Sequence, residues 1–260
     1  MTIRGIAAVL VILLAAAQAQ ARAAWKPSVR GPFDIQLTSP FQLTRKAAMV
    51  ALGAVETSPT RLQDLQSRGV RTVCVINAGA WENWRPDSGA FDKRLVGAPL
   101  AGWPAERWLD IRALDALGPV LARRLDLCRD KGFDGVLLRN LDGYRHRSGF
   151  PLTANEQVAY NRMVAKAARE RGLVVGLMNT GDLAADLVDS FDYAVAEGCF
   201  EDRDCADYLP FRRADKPVFV VEYTNLQRKM DSYCVEAAQL DVQLVFKAQS
   251  LNGKLHRRCP

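Results

Sequence analysis

Histidine is almost missing from this 260-residue chain: only His146 and His256 occur. None of the six cysteines forms a C-x-x-C pair. A zinc site is therefore not expected, and no other metal is called for. The same scarcity leaves a Ser-His-Asp triad without a base, and there is no G-x-S-x-G turn to carry its serine. No P-loop and no G-x-G-x-x-G fingerprint occurs, so the usual nucleotide cradles are excluded and no cofactor is expected. There is no low-complexity tract, no long run of one charge and no repeat at a fixed period. Basic residues outnumber acidic ones, 35 to 29. They are scattered, as in Arg123-Arg124, Arg212-Arg213 and Arg257-Arg258, and are not interleaved with aromatics. They read as solvated surface, with no nucleic acid expected as a partner.

The first residues read as a leader. Arg4 is followed by an apolar run from Gly5 to Ala17, then by small-x-small options at Ala17-Gln18-Ala19, Ala19-Gln20-Ala21 and Ala21-Arg22-Ala23. This predicts a signal peptide over 1–23 and one mature domain over 24–260, secreted or periplasmic. An uncleaved anchor is the alternative, disfavoured by the shortness of the run. No second run is long enough to cross a bilayer, so no stable membrane insertion is expected after cleavage. No cysteine follows the run, which argues against a lipoprotein. In an oxidising compartment the cysteines favour disulfides. Cys199 and Cys205 flank a short acidic loop and are candidates to close it; Cys234 and Cys259 are candidates to pin the C-terminal tail. Cys74, in an apolar strand, and Cys128, in a helix, are expected to be buried free thiols.

Short β-type runs alternate with helix-sized stretches. Strands are expected at 33–37, 48–52, 72–76, 108–111, 135–138, 174–177, 193–196, 218–221 and 243–246. Helices are expected over Ser58–Arg68, with Ser58 as N-cap and Pro59 at the first position, and over Leu114–Lys131, stopped by Gly132. A third, over Thr153–Arg171, opens on a Thr153/Glu156 capping box. This alternation predicts a parallel sheet in an α/β fold. About eight strands over this length favour a (β/α)8 TIM barrel, single domain, over an open doubly wound sheet.

In such a barrel the chemistry sits at the C-terminal strand ends. The residues just past each run are Glu82, Trp84, Arg85 and Asp87; Asp110; Arg139, Asn140, Asp142 and Tyr144; Asn179; Glu197; and Glu222 with Tyr223. Carboxyl groups, amides, arginines and aromatic faces are the inventory that sugar hydrolysis needs. Each residue taken alone is equally well read as capping the rim.

At these residues the chain resembles the endo-α-1,4-polygalactosaminidase family of glycoside hydrolases. Asn77-Ala78-Gly79-Ala80-Trp81-Glu82-Asn83-Trp84-Arg85-Pro86-Asp87 is similar to the family's S-A-G-x-x-E-x-W-R-P-D. Trp103-Pro104-Ala105-Glu106-Arg107-Trp108-Leu109-Asp110-Ile111-Arg112 is similar to its W-P-x-E-x-W-L-D-I-R. The match continues through Lys131-Gly132-Phe133-Asp134-Gly135, Asp142-Gly143-Tyr144, Gly149-Phe150-Pro151-Leu152-Thr153, Lys216-Pro217-Val218-Phe219 and Glu222-Tyr223, over nearly the whole mature chain. The resemblance implies a (β/α)8 barrel that acts on galactosamine-containing polysaccharide through an Asp and a Glu. The Glu maps onto Glu197. The Asp maps onto Arg139, and arginine cannot serve as acid, base or carboxylate nucleophile. Leu137 stands where the family usually has Glu, Val50-Ala51-Leu52-Gly53 replaces a Tyr-Asp-x-Asp-type strand end, and Met178 stands for a Lys. Two readings remain open at this point. Either Glu197 works with a replacement carboxylate, Glu222 or Asp142 first and Asp110 next, or the barrel has lapsed as an enzyme and binds glycan or a protein partner.

Overall fold

The computed structural model describes residues 25–28, 30–43, 46–223 and 230–259. The expected signal peptide lies outside them. In chain order the strands are β1 (Phe33–Gln36), β2 (Met49–Gly53), β3 (Arg71–Asn77), β4 (Ala80–Glu82), β5 (Val96–Leu100), β6 (Trp103–Leu109), β7 (Gly135–Arg139), β8 (Val174–Met178), β9 (Tyr193–Glu197), β10 (Val218–Tyr223), β11 (Gln243–Lys247) and β12 (Arg257–Arg258). Nine form one sheet in the order β1-β2-β3-β7-β8-β9-β10-β11-β12. All its pairings are parallel except the last, β11 with β12.

The sheet is apolar on both faces, as a parallel sheet covered on both sides must be. Side chains alternate by a period of two. Phe33, Ile35, Ala51, Val73, Val75, Leu137, Val195, Phe219, Val221 and Val245 form an inner cluster. Val50, Leu52, Cys74, Ile76, Val136, Leu138, Ala194, Val220 and Phe246 face outward into the cluster shared with the helices. The sheet curls until β1 and β10 meet across the inside, where the Phe33 and Phe219 rings stack with centroids 4.7 Å apart. Among the described residues the ladder has no β1–β11 pair. A buried ion pair, Lys247 Nζ to Asp34 Oδ1 at 2.7 Å, spans that gap instead. The architecture is thus a curled parallel sheet with helices outside.

The longer helices are α1 (Pro59–Ser67), α2 (Leu114–Lys131), α3 (Ala154–Arg169) and α4 (Met230–Gln239). Ser58 caps α1, its Oγ accepting from Arg61 N, with Pro59 at the next position. Thr153 and Glu156 form the capping box of α3. Gly132 ends α2 in the left-handed region at φ 92°.

Two expectations need correction. The strand expected at 108–111 does not join the main sheet. It belongs to β6, which pairs antiparallel with β4 and β5 in a separate three-stranded sheet inserted between β3 and α2. A hairpin causes this: Leu100 opposes Trp103 across a two-residue turn. Gly102 adopts φ 78° there, a conformation that glycine takes without strain. The second correction concerns Cys74 and Cys128, which are joined by a disulfide. Cys74 points outward from β3 onto α2, so the two thiols meet in the same layer. Disulfides also join Cys199 to Cys205 and Cys234 to Cys259.

Candidate active-site cleft

A cleft of about 790 Å³ opens at the C-terminal ends of the strands. The period of two decides what enters it. Residues that continue the inward-facing set beyond the apolar layer are Asn77 on β3, Arg139 on β7, Glu197 on β9 and Tyr223 on β10, and all four line the cleft. The small antiparallel sheet and its loops close one side with Glu82, Trp84, Arg85, Trp103 and Glu106.

Glu197 is held at both oxygens. Asn179 Nδ2 donates to its Oε2 at 2.9 Å, and the Tyr223 hydroxyl donates to its Oε1. The Glu197 backbone N–H in turn donates to Asn179 Oδ1 at 2.7 Å. Asn179 can turn back this way because it sits at φ 56°, a left-handed conformation that asparagine tolerates. Burial pushes the Tyr223 phenol above its ordinary range and the Glu197 charge adds to the shift, so Tyr223 is a hydrogen-bond donor at any working pH.

A second carboxyl group faces the same space. Glu106 is only 3% exposed. Its Oε2 accepts from Asn77 Nδ2 at 2.8 Å and more weakly from Asn140 Nδ2 at 3.4 Å. Burial raises its pKa; the Arg139 charge opposes this and the neighbouring Glu82 reinforces it. Asn140, at φ 59°, also donates from Nδ2 to Asn77 Oδ1 at 3.0 Å. Glu82 accepts from Arg85 Nε at 3.0 Å, and Arg85 Nη1 reaches Glu56 Oε1 at 3.1 Å. Among the described residues the Arg139 guanidinium makes no hydrogen bond and no ion pair within 4 Å. Its charge is felt by Glu106 on one side and Tyr223 on the other.

Several expected site residues lie elsewhere. Glu222 has the opposite parity to Tyr223, so it faces outward, fully buried, and accepts from Phe200 N at 2.8 Å. Burial pushes it up to about 7. Asp142 comes after the turn at Asn140, lies outside the cleft and meets His146 Nε2 at 3.0 Å. Tyr144 donates its hydroxyl to Asp182, and Asp110 is paired with Arg112 at 2.8 Å; neither lines the cleft. Asp87 stands behind the cleft wall, gripped by Arg124 Nε at 2.6 Å and Nη2 at 2.9 Å. Burial alone would raise the Asp87 pKa, but Arg124 holds it below the usual range. Of the three carboxylates expected to be catalytic, only Glu197 is in the cleft. Sequence reasoning passed over Glu106, Glu56 and Trp103 as site residues. The overlooked signal was a glutamate inside the hydrophobic strand segment Glu106-Arg107-Trp108-Leu109.

Among the described residues no cluster of three or more His, Cys, Asp or Glu converges as a metal site. Nor is any helix among them long and apolar enough to cross a membrane.

One cleft at the strand ends of a curled parallel sheet thus gathers carboxylates, amides and tryptophans. The chain belongs to glycoside-hydrolase family GH114, whose profile matches residues 14–259. Its structure is similar to that of Aspergillus fumigatus Ega3 in complex with galactosamine, with a TM-score of 0.86 and 29% identity, covering 91% of this chain and 98% of the other. It also shares its fold with the glycoside hydrolase domain of PelA from Pseudomonas aeruginosa, with a TM-score of 0.69 and 13% identity over 87% of this chain and 97% of that one. An uncharacterized protein of Deinococcus radiodurans is 28% identical over 189 residues, 64% of this chain and 60% of that protein, so the match spans less than two thirds of that relative.

Proposed function

We propose that the protein is an exported glycoside hydrolase that acts on galactosamine-containing polysaccharide in this cleft, with Glu197 as its central carboxylate. The observation that carries this reading is the anchoring of Glu197 by Asn179 and Tyr223 inside a cleft of about 790 Å³. Membership of the family and the galactosamine bound to Ega3 support the substrate class. We read the curled sheet as a (β/α)8-type barrel whose seam is bridged by Asp34 and Lys247.

Glycoside hydrolysis uses one carboxylic acid and one carboxylate on opposite sides of the scissile bond. Arg139 occupies a strand-end position between them and can play neither part. Glu106 takes the acid role in this proposal: burial favours its protonated form, and its Oε1 is left without a protein partner. It gives its proton to the glycosidic oxygen as the C1–O bond breaks. Glu197, anchored by its two donors, either takes the proton of the water that attacks C1 or bonds to C1 itself and is then displaced by a water whose proton returns to Glu106. Trp84 and Trp103, 52% and 59% exposed, offer faces for sugar rings at the lip.

The open Arg139 guanidinium favours a second reading, in which the cleft binds the glycan without cutting it. One assay separates the two. Reducing ends released from a partly N-acetylated α-1,4-linked galactosamine polymer are measured for the purified chain and for Glu197→Gln. Release by the native chain and none by the variant supports hydrolysis. Equal release by both removes Glu197 from the mechanism, and no release by either leaves the binding reading.

A further inference from the structure

We propose that Arg139 sets the specificity of this cleft, accepting the uncharged N-acetylated hexosamine and rejecting the cationic deacetylated one. This rests on the reading of the cleft as a site for galactosamine-containing polysaccharide.

Unmet donors and acceptors decide the preference. A glycan ammonium brings donors and a positive charge. Glu82 and Glu56 are paired with the Arg85 cation, Glu197 has a donor on each oxygen from Asn179 and Tyr223, and Glu106 accepts at Oε2 from Asn77 and Asn140, while its open Oε1 is the proton-bearing oxygen of the proposed acid role. Arg139 has the reverse condition. Its guanidinium carries five N–H donors in a fixed fork, and among the described residues none has an acceptor. Yet it lines the cleft, and its charge reaches both Glu106 and Tyr223. The group that satisfies it is an oxygen acceptor without positive charge. An acetamido carbonyl is such a group. An ammonium in its place would set two like charges together in a partly dry cleft, which is costly.

The surroundings suit the rest of the acetamide. Its methyl needs an apolar neighbour, and Val75, Met178 and Leu251 line the same cleft while belonging to the inner apolar cluster.

The test is a calorimetric titration in the Glu197→Gln background, where turnover does not interfere. Two α-1,4-linked galactosamine oligosaccharides of equal length are compared, one fully N-acetylated and one fully deacetylated. The expected result is binding of the acetylated form at least about tenfold tighter, a size typical of a like-charge penalty. Adding Arg139→Asp should reverse the preference. Arg139→Gln, which keeps an amide donor and loses the charge, should bring the two affinities within a few-fold; each protein's fold is checked by its thermal transition. Tighter binding of the deacetylated form by the arginine protein overturns the proposal, as does a ratio that neither substitution moves. Those outcomes leave the polysaccharide reading standing. Failure of both oligosaccharides to bind removes that reading and this proposal with it.

Discussion

At the residue scale, the proposed hydrolysis turns on which groups share the cleft with Glu197. If Glu106 supplies the proton, its raised pKa fixes the sign of the pH dependence. Activity is present while Glu106 is protonated and falls as pH rises through its folded-state pKa. Glu106→Gln should therefore lower polymer cleavage by about 10²-fold or more, a usual size for a lost general acid. The residual rate should lose its alkaline limb, and an aryl glycoside with a good leaving group should be spared. A variant that keeps the limb would take the acid role from Glu106. Tyr223→Phe removes one donor from Glu197. About a tenfold loss in kcat with little change in KM is expected from steady-state kinetics, in keeping with a buried hydrogen bond to a charged group.

At the element scale, strand parity explains much of what was and was not legible. The strand segments, the capping box at Thr153 and the βα alternation were readable because apolar periodicity and end signals are local. The position of Glu197 at the end of a buried strand was readable in the same way. Glu222 misled because a strand end was read without its period. It is one residue before Tyr223, and that step sends it to the outer face. The insert β4-β5-β6 was hidden because a hairpin strand and a barrel strand look alike over four residues. With it went Glu106, which enters the cleft from that insert.

Outward burial of Glu222 carries its own prediction. Its folded pKa of about 7 lies above the ordinary 4.5. A carboxyl raised in this way leaves stability intact below about pH 4.5 and lowers it as pH climbs towards 7. Glu222→Gln should leave the melting temperature unchanged near pH 4 and raise it near pH 8, by at most about 3 kcal/mol in stability. A pH-independent difference would contradict the burial argument. The link between β3 and α2 is testable in the same way. The Cys74–Cys128 disulfide closes a separation of 54 residues. Replacing both by alanine should cost roughly 2–4 kcal/mol in a denaturant titration; no loss would place the two sulfurs apart in solution.

At the scale of the whole molecule, the loops that frame the cleft are closely packed. A Cβ at Gly79 would lie 1.6 Å from the Asn140 carbonyl oxygen, so the loops after β3 and β7 pack with no room for a side chain. Arg139 stands on an inner strand end, where its side chain lines the cleft beyond the apolar core. The proposed specificity would rest on charge and acceptor pattern at the cleft rather than on the scaffold.

Binding of galactosamine-containing polysaccharide in this cleft is measured by calorimetric titration of a fully N-acetylated α-1,4-linked galactosamine oligosaccharide, with every protein carrying Glu197→Gln so that turnover does not interfere. The Glu197→Gln parent should show saturable one-to-one binding. The Trp84→Ala, Trp103→Ala double variant, which strips both ring faces from the lip, should bind at least about tenfold more weakly, since stacking contributes on the order of 1 kcal/mol per ring. Leu127→Ala, at an exposed site on α2 outside this cleft, should bind as the parent does. Parental affinity in the double variant, or no saturable binding by the parent, would contradict the account.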